Sequence, residues 1–273
     1  MSKDQGTQLN LRRAQAAAVR AAQSVGVLMR RHLRGSKRAS SVTQHDIKLE
    51  LDVRCQALIE KTLRASFPRV AVLGEEGVAG RADADLRWVV DPIDGTVNFA
   101  YGIPHACVSI ALQQRARTPA AAQFEDGYQT LVGVVYDPFC NELWTGISGQ
   151  AARLNGRVIR VSQRRKLREA IVSIGFAKNL ETLNATLPYF NKLVYRIRKI
   201  RMMGAAALGL AYVATGRFDA YIEQGISLWD IAAGGLIIEC AGGEFWHKAI
   251  VGEHKYRMVA SNGLLRRHLR VPH

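Results

Sequence analysis

The chain is poor in the residues that staple small secreted domains or bind soft metals. Its four cysteines, Cys55, Cys107, Cys140 and Cys240, lie far apart and form no CxxC pair. That argues against a zinc ribbon or a disulfide framework and suits the reduced thiols of the cytoplasm. The seven histidines are scattered, with no zinc-ligand spacing. No apolar run approaches the length of a membrane span, so no membrane contact is expected. The first residues lack the charged, apolar and cleavage regions of a secretory signal. Acidic residues are the other scarce class, 23 against 38 Lys and Arg, for a net charge of +15.

With 273 residues and 48% hydrophobic content, the chain can bury a full core. The expectation is a single domain over 1–273, with an α+β half to about residue 150 and an α/β half from about 151. The Arg- and Ala-rich N-terminus has the composition of a transit peptide. Leu11, Ala14, Ala18, Ala22, Val25, Met29 and Leu33, however, recur at three- and four-residue steps, so a helix of the mature protein is favoured. Gly35–Gln44 reads as a polar loop. A second helical stripe runs from Leu51 to Thr62, closed by Pro68.

Short apolar runs at Val70–Leu73, Trp88–Val90, Cys107–Leu112 and Leu131–Tyr136 read as strands, and Asp137-Pro138 as the turn of a hairpin. Beyond them strands (Ala170–Ile174, Phe218–Ile222, Phe245–Trp246, Met258–Ala260) alternate with helices (Leu183–Tyr195, Ala205–Ala214, Asp230–Cys240). A basic helix is expected from Asn262. The mixture predicts a layered α/β architecture.

Charge is segregated. Residues 153–201 hold thirteen basic and two acidic side chains, whereas 45–152 and 202–246 are net acidic. A basic stretch of this kind can attract anions or nucleic acid, though most such side chains simply face solvent.

The acidic segments carry the chemistry. Gly74-Glu75-Glu76 follows one apolar strand, and Asp91-Pro92-Ile93-Asp94-Gly95-Thr96 follows another. Carboxylates gathered at strand ends suit a hard cation such as magnesium, which prefers oxygen ligands. Pro92 is expected to end its strand sharply, so that Asp91 and Asp94 turn toward one point and the Ile93 carbonyl offers a further oxygen. Gly95 leaves space for a phosphate, to which the Gly95 and Thr96 amides can donate.

The run Trp88–Thr96 resembles the signature of the inositol monophosphatase family. So do Trp229-Asp230-Ile231-Ala232-Ala233-Gly234, followed by Glu239-Cys240-Ala241-Gly242-Gly243, and the earlier Gly74-Glu75-Glu76. The resemblance implies an αβαβα sandwich of the inositol monophosphatase and fructose-1,6-bisphosphatase type. It also implies a magnesium-dependent, lithium-sensitive phosphatase with two or three ions, acting on a small phosphorylated substrate, and a cytoplasmic homodimer. Glu75, Asp91 and the Ile93 carbonyl would hold the ion that activates water. Asp91, Asp94 and Asp230 would hold a second, with Glu76 in support. Asp52 and Thr96 would orient the water, whose attack makes Glu75 a catalytic residue too. Gly95, Thr96, Gly204, Ala205, Ala206 and Glu223 would contact substrate.

Inositol monophosphate is the first candidate. Histidinol phosphate, fructose 1,6-bisphosphate and 3′-phosphoadenosine 5′-phosphate are its rivals, and RNA or transcription-complex binding through the basic segments is an alternative of another class. Two departures from the family pattern stand out. Asp46-Ile47-Lys48-Leu49-Glu50-Leu51-Asp52 has Leu49 where a threonine is common, and Gly204-Ala205-Ala206-Ala207 has Ala205 where a serine is common.

Overall fold

The computed structural model describes residues 9–35, 38–42, 47–81, 83–176 and 180–269; Asp46 lies outside them. Helix α1 (Leu11–His32) is the expected stripe. Asn10 caps it, its Oδ1 accepting from the Arg13 amide at 3.0 Å, and Arg30, Arg31 and His32 fill its last turn, where the helix dipole favours cations. The predicted loop after it instead contains a short strand, β1 (Ala39–Val42), paired antiparallel with β2 (Ile47–Leu49). All four β1 residues are exposed, so no apolar alternation marks the strand in the sequence. Helix α2 (Glu50–Ser66) follows.

The larger sheet takes β3 (Ala71–Gly74), β4 (Gly77–Ala79), β5 (Leu86–Asp94), β6 (Cys107–Arg115), β7 (Tyr128–Asp137), β8 (Glu142–Ile147), β9 (Arg153–Leu154) and β10 (Arg157–Val158). Helix α3 (Thr96–Ala100) sits between β5 and β6. The strand order is β10-β9-β8-β7-β6-β5-β3-β4, antiparallel except where β3 runs parallel to β5.

The second half supplies β11 (Ile171–Ile174), α4 (Leu180–Val194), β12 (Lys199–Arg201), α5 (Ala206–Ala214), β13 (Ala220–Ser227), α6 (Leu228–Cys240), β14 (Glu244–Ala249) and β15 (Lys255–Ser261). Its sheet has the order β12-β11-β13-β15-β14, and β12, β11 and β13 are parallel. The C-terminal segment makes only a 3-10 turn at Arg266–His268, not the expected helix.

Burial on both faces of the sheets explains the layers. Trp88, Val90, Ile110, Leu112 and Val134 face a core shared with α1 and α2, while Val89, Ala111 and Val135 face the opposite way. That second face packs on α5 and α6, which the other sheet covers in turn through Ile226, Met258 and Ala260. A third core joins Val172, Ile222 and Val259 to Leu193 of α4. The result is helix, sheet, helix, sheet, helix, as the resemblance implied. Helix α6 is apolar on all sides because both of its faces are buried.

Small residues let α1 approach the sheet. Ala14, Ala17, Ala18, Ala21 and Ala22 are fully buried, and a Cβ on Gly26 would come within 2.5 Å of the Tyr136 ring. Gly26→Ala gains helix propensity of roughly 1 kcal/mol, but the overpacking costs about 1–3 kcal/mol. The substitution is therefore expected to destabilise the protein, seen as a lower urea midpoint; a higher midpoint would contradict the packing described.

Candidate active site

Strand β5 does not stop at Pro92. It continues to Asp94, and its register against β6 shifts between Asp91 and Asp94. In a regular strand, residues three apart face opposite sides. The irregularity brings Asp94 round to the side of Asp91, as a bulge re-aims a side chain. Asp230 arrives from the third position of α6, its Oδ2 accepting from the Ser227 amide at 2.9 Å. The three aspartates offer oxygens that all lie within 4.8 Å of one another.

Glu75 comes from the turn after β3. Because β3 and β5 are parallel with Gly74 opposite Val90, the next residue of each strand, Glu75 and Asp91, reaches the same level. The Glu75 amide donates to the Val90 carbonyl at 3.2 Å. Gln56 of α2 braces the turn, accepting from the Glu76 amide at 3.0 Å and donating to the Gly77 carbonyl at 3.1 Å. A Cβ on Gly74 would collide with its amide at 2.1 Å.

Asp94 ties the two halves together. Its oxygens accept from the Ala206 and Ala207 amides, at 2.9 and 2.8 Å, at the N-terminus of α5. The buried Cys107 thiol lies 3.4 Å from the same carboxylate. Asn98 adds a second tie, donating to the carbonyls of His105 at 2.9 Å and Met203 at 2.8 Å. Gly95 has φ +87°, and a Cβ there would press on Ala205 and the His105 carbonyl at 3.0 Å. Its lack of a side chain is thus required by the backbone as well as by any ligand.

A cavity of about 390 Å³ is lined by Glu75, Asp91, Ile93, Asp94, Gly95 and Thr96 from the first half. The second half contributes Gly204, Ala205, Ala206, Glu223 and Asp230. Asp52 is not among its lining residues. It is buried at the start of α2, with Oδ2 accepting from the Leu49 amide at 2.7 Å, while Leu49 itself packs into the core. The Thr96 hydroxyl donates to the Ile93 carbonyl at 2.8 Å. Tyr221, fully buried, hydrogen-bonds Glu223. A larger cleft of about 720 Å³, beside the 116–127 connection, contains none of these carboxylates.

Burial pushes the Asp91 carboxyl well above its usual range, and the charges of Glu75, Asp94 and Asp230 push it further. Burial also raises Asp94, to about 6, against the opposing pull of the Ala206 and Ala207 amides. Such a donor set, carboxylates with a backbone carbonyl beside them, fits a hard divalent cation.

The sequence model of the inositol monophosphatase family matches residues 10–256. A "Nus factor SuhB" of Pseudomonas aeruginosa is 41% identical, covering 83% of this chain and 82% of its own. "Inositol monophosphatase 1" of Solanum lycopersicum is 37% identical over 83% and 81%. Among solved structures, the extragenic suppressor protein suhB of Bartonella henselae aligns with TM-score 0.82 at 30% identity, covering 93% and 96%. An inositol monophosphatase from Anabaena aligns with TM-score 0.77 at 31% identity, over 95% and 94%. The layered fold and its acidic cluster define a phosphatase-type α/β sandwich. This chain belongs to the inositol monophosphatase family.

The raised carboxyls predict a pH dependence. Between an ordinary 3.8 and about 6, the folded, metal-free protein keeps a proton on Asp94 that the unfolded chain releases. The folded state binds more protons in that window, so stability falls as pH rises through it. Thermal unfolding of metal-free protein should show a falling midpoint from about pH 4 to 6, and Asp94→Asn should flatten part of the slope. A midpoint that rises over this range would contradict the buried-acid description.

Proposed function

We propose that the chain hydrolyses a small phosphate monoester with the help of magnesium, inositol monophosphate being the first candidate. The observation that carries this reading is the convergence of Asp91, Asp94 and Asp230 in one cavity, with Glu75 beside them. Glu75, Asp91 and the Ile93 carbonyl would hold one ion, and Asp91, Asp94 and Asp230 another, for a total of two or three ions. Bound there, the ions supply a more acidic water and neutralise charge developing on the phosphoryl oxygens.

The chain's own groups position the reactants. The first amides of α3, at Gly95 and Thr96, have no partner within the helix and can donate to phosphate oxygens. Thr96 and Asp52 would orient the attacking water; α3 packs on β2, the strand leading into Asp52. Ala205 and Ala206 form the opposite wall, and Glu223, steadied by Tyr221, accepts from a substrate hydroxyl. A second copy covering Val97, Tyr101 and Ile103, which are exposed on and just after α3, is the homodimer contact we favour.

Chelation should abolish phosphate release, magnesium restore it and lithium inhibit it. Asp91→Asn removes a ligand assigned to both ions, so a loss on the order of a thousandfold in kcat is expected. Glu223→Gln should act mainly through KM and substrate preference, at about 1–3 kcal/mol. Both variants must first show a single cooperative unfolding transition. Near-parental turnover by Asp91→Asn at saturating magnesium would rule out the carboxylate assignment.

The relatives named Nus factor SuhB favour a second reading, contact with RNA or a transcription complex through the basic stretch. Arg160, Arg165 and Lys166 line an open surface cleft, and Arg165 shares a second with Arg266 and Arg267. Arg164 is a poor probe, because it pairs at 3.0 Å with the fully buried Asp219. Retention on RNA should fall steeply with salt and weaken in the Arg165→Ala, Arg267→Ala double variant. No retention at low salt would remove this reading.

A further inference from the structure

The strands of the second sheet end side by side at the cavity, and their order grades it from polar to apolar. Strands β12, β11 and β13 are parallel, with Ser173 level with Arg201 and Ile174 level with Ile222. Just past those levels come Met202 and Met203 after β12, Gly175 and Phe176 after β11, and Glu223 in β13. All five line the cavity that holds the carboxylate cluster. Glu223 stands on the inner strand and the methionines follow the edge strand. Phe176 is backed by Phe190 of α4, ring centres 5.8 Å apart, and the Met203 carbonyl is fixed by Asn98. Met202 is 59% exposed and lines the cavity, so its thioether is open to a bound molecule. Among the described residues lining the cavity, none is Lys, Arg or His.

We infer that Phe176, Met202 and Met203 form an apolar subsite beyond Glu223, selecting monoesters whose alcohol carries an aromatic or other apolar ring. The inference rests on the phosphatase reading above. An inositol ring would satisfy Glu223 but leave this wall in water. Among the described residues, a second phosphate would meet thioethers and a benzyl ring. Methionine is suited to such a wall, because its flexible thioether adapts to rings of different shape.

The test compares myo-inositol 1-phosphate with 2-phenylethyl phosphate on the intact protein in magnesium, as parent and as Met202→Ser. Met202→Ser should lower kcat/KM for the aromatic ester roughly tenfold relative to the inositol ester, mainly through KM. An unchanged ratio overturns the subsite. So does an unchanged ratio with a loss of dimer mass, which would give Met202 to an interface between copies. If neither ester turns over with any divalent cation, the phosphatase reading has failed. Calorimetric binding of the two matching phosphonates then decides the subsite separately: an aromatic preference abolished by Met202→Ser keeps it, and equal binding overturns it.

Discussion

Repulsion among buried like charges is the constraint from which the rest of this structure follows. Asp91 is fully enclosed and feels Glu75, Asp94 and Asp230 at once. Two unit charges about 4 Å apart cost ~4 kcal/mol even at an effective dielectric of 20. A hydrogen bond from an amide to a charged acceptor returns only about 1.5–3 kcal/mol. The two amides of α5 on Asp94 and the Ser227 amide on Asp230 therefore offset part of the repulsion and leave an excess. Protons or cations must balance that excess, and a divalent ion, if bound as proposed, would draw its affinity from it.

The layered architecture serves this constraint directly. Helices α5 and α6 lie between two sheets, where apolar side chains on every face bury them. Both helices begin at the cavity, so both positive dipole ends face acids: α5 toward Asp94, and α6 with Asp230 in its first turn. Packing thus decides where the dipoles point, and the dipoles decide which carboxylates can be tolerated. Asp94 receives two amides and is raised only to about 6; Asp91, which accepts from Ile93 alone among the amides named, is pushed further.

Local signals were legible in the chain and long-range ones were not. Apolar runs located most strands of both sheets, and the Asp91–Thr96 hexad marked the candidate site because two of its carboxylates are neighbours in sequence. The polar strand β1 carried no apolar alternation, and the bulge in β5 was hidden because Pro92 reads as a strand end. Gln56, Asn98 and Cys107 escaped notice for a common reason: each acts on a group supplied by another stretch of the chain. Asn98 reaches Met203 across 105 residues, and Asp94 reaches Ala206 across 112. Asp230 and Glu223 were reachable only through family resemblance, since an acid after a tryptophan or inside a strand has no local mark.

The distribution of charge completes the physical picture. The chain is strongly basic overall, yet no described residue lining the cavity is cationic. A long-range positive field raises the local concentration of anionic esters but is weakened by salt within about 8–10 Å. Inside the cavity that field cannot replace a direct partner for phosphate. The helix amides at Gly95 and Thr96 are dipoles, and the formal charges among the described residues lining the cavity are carboxylates of the same sign as a phosphate ester. If the cluster holds a divalent ion as proposed, that ion would reverse the sign that phosphate meets. On the proposed reading, binding of an ester would be conditional on binding of the metal, because the acids assigned to the ion would repel an anion while they are ionised and unoccupied.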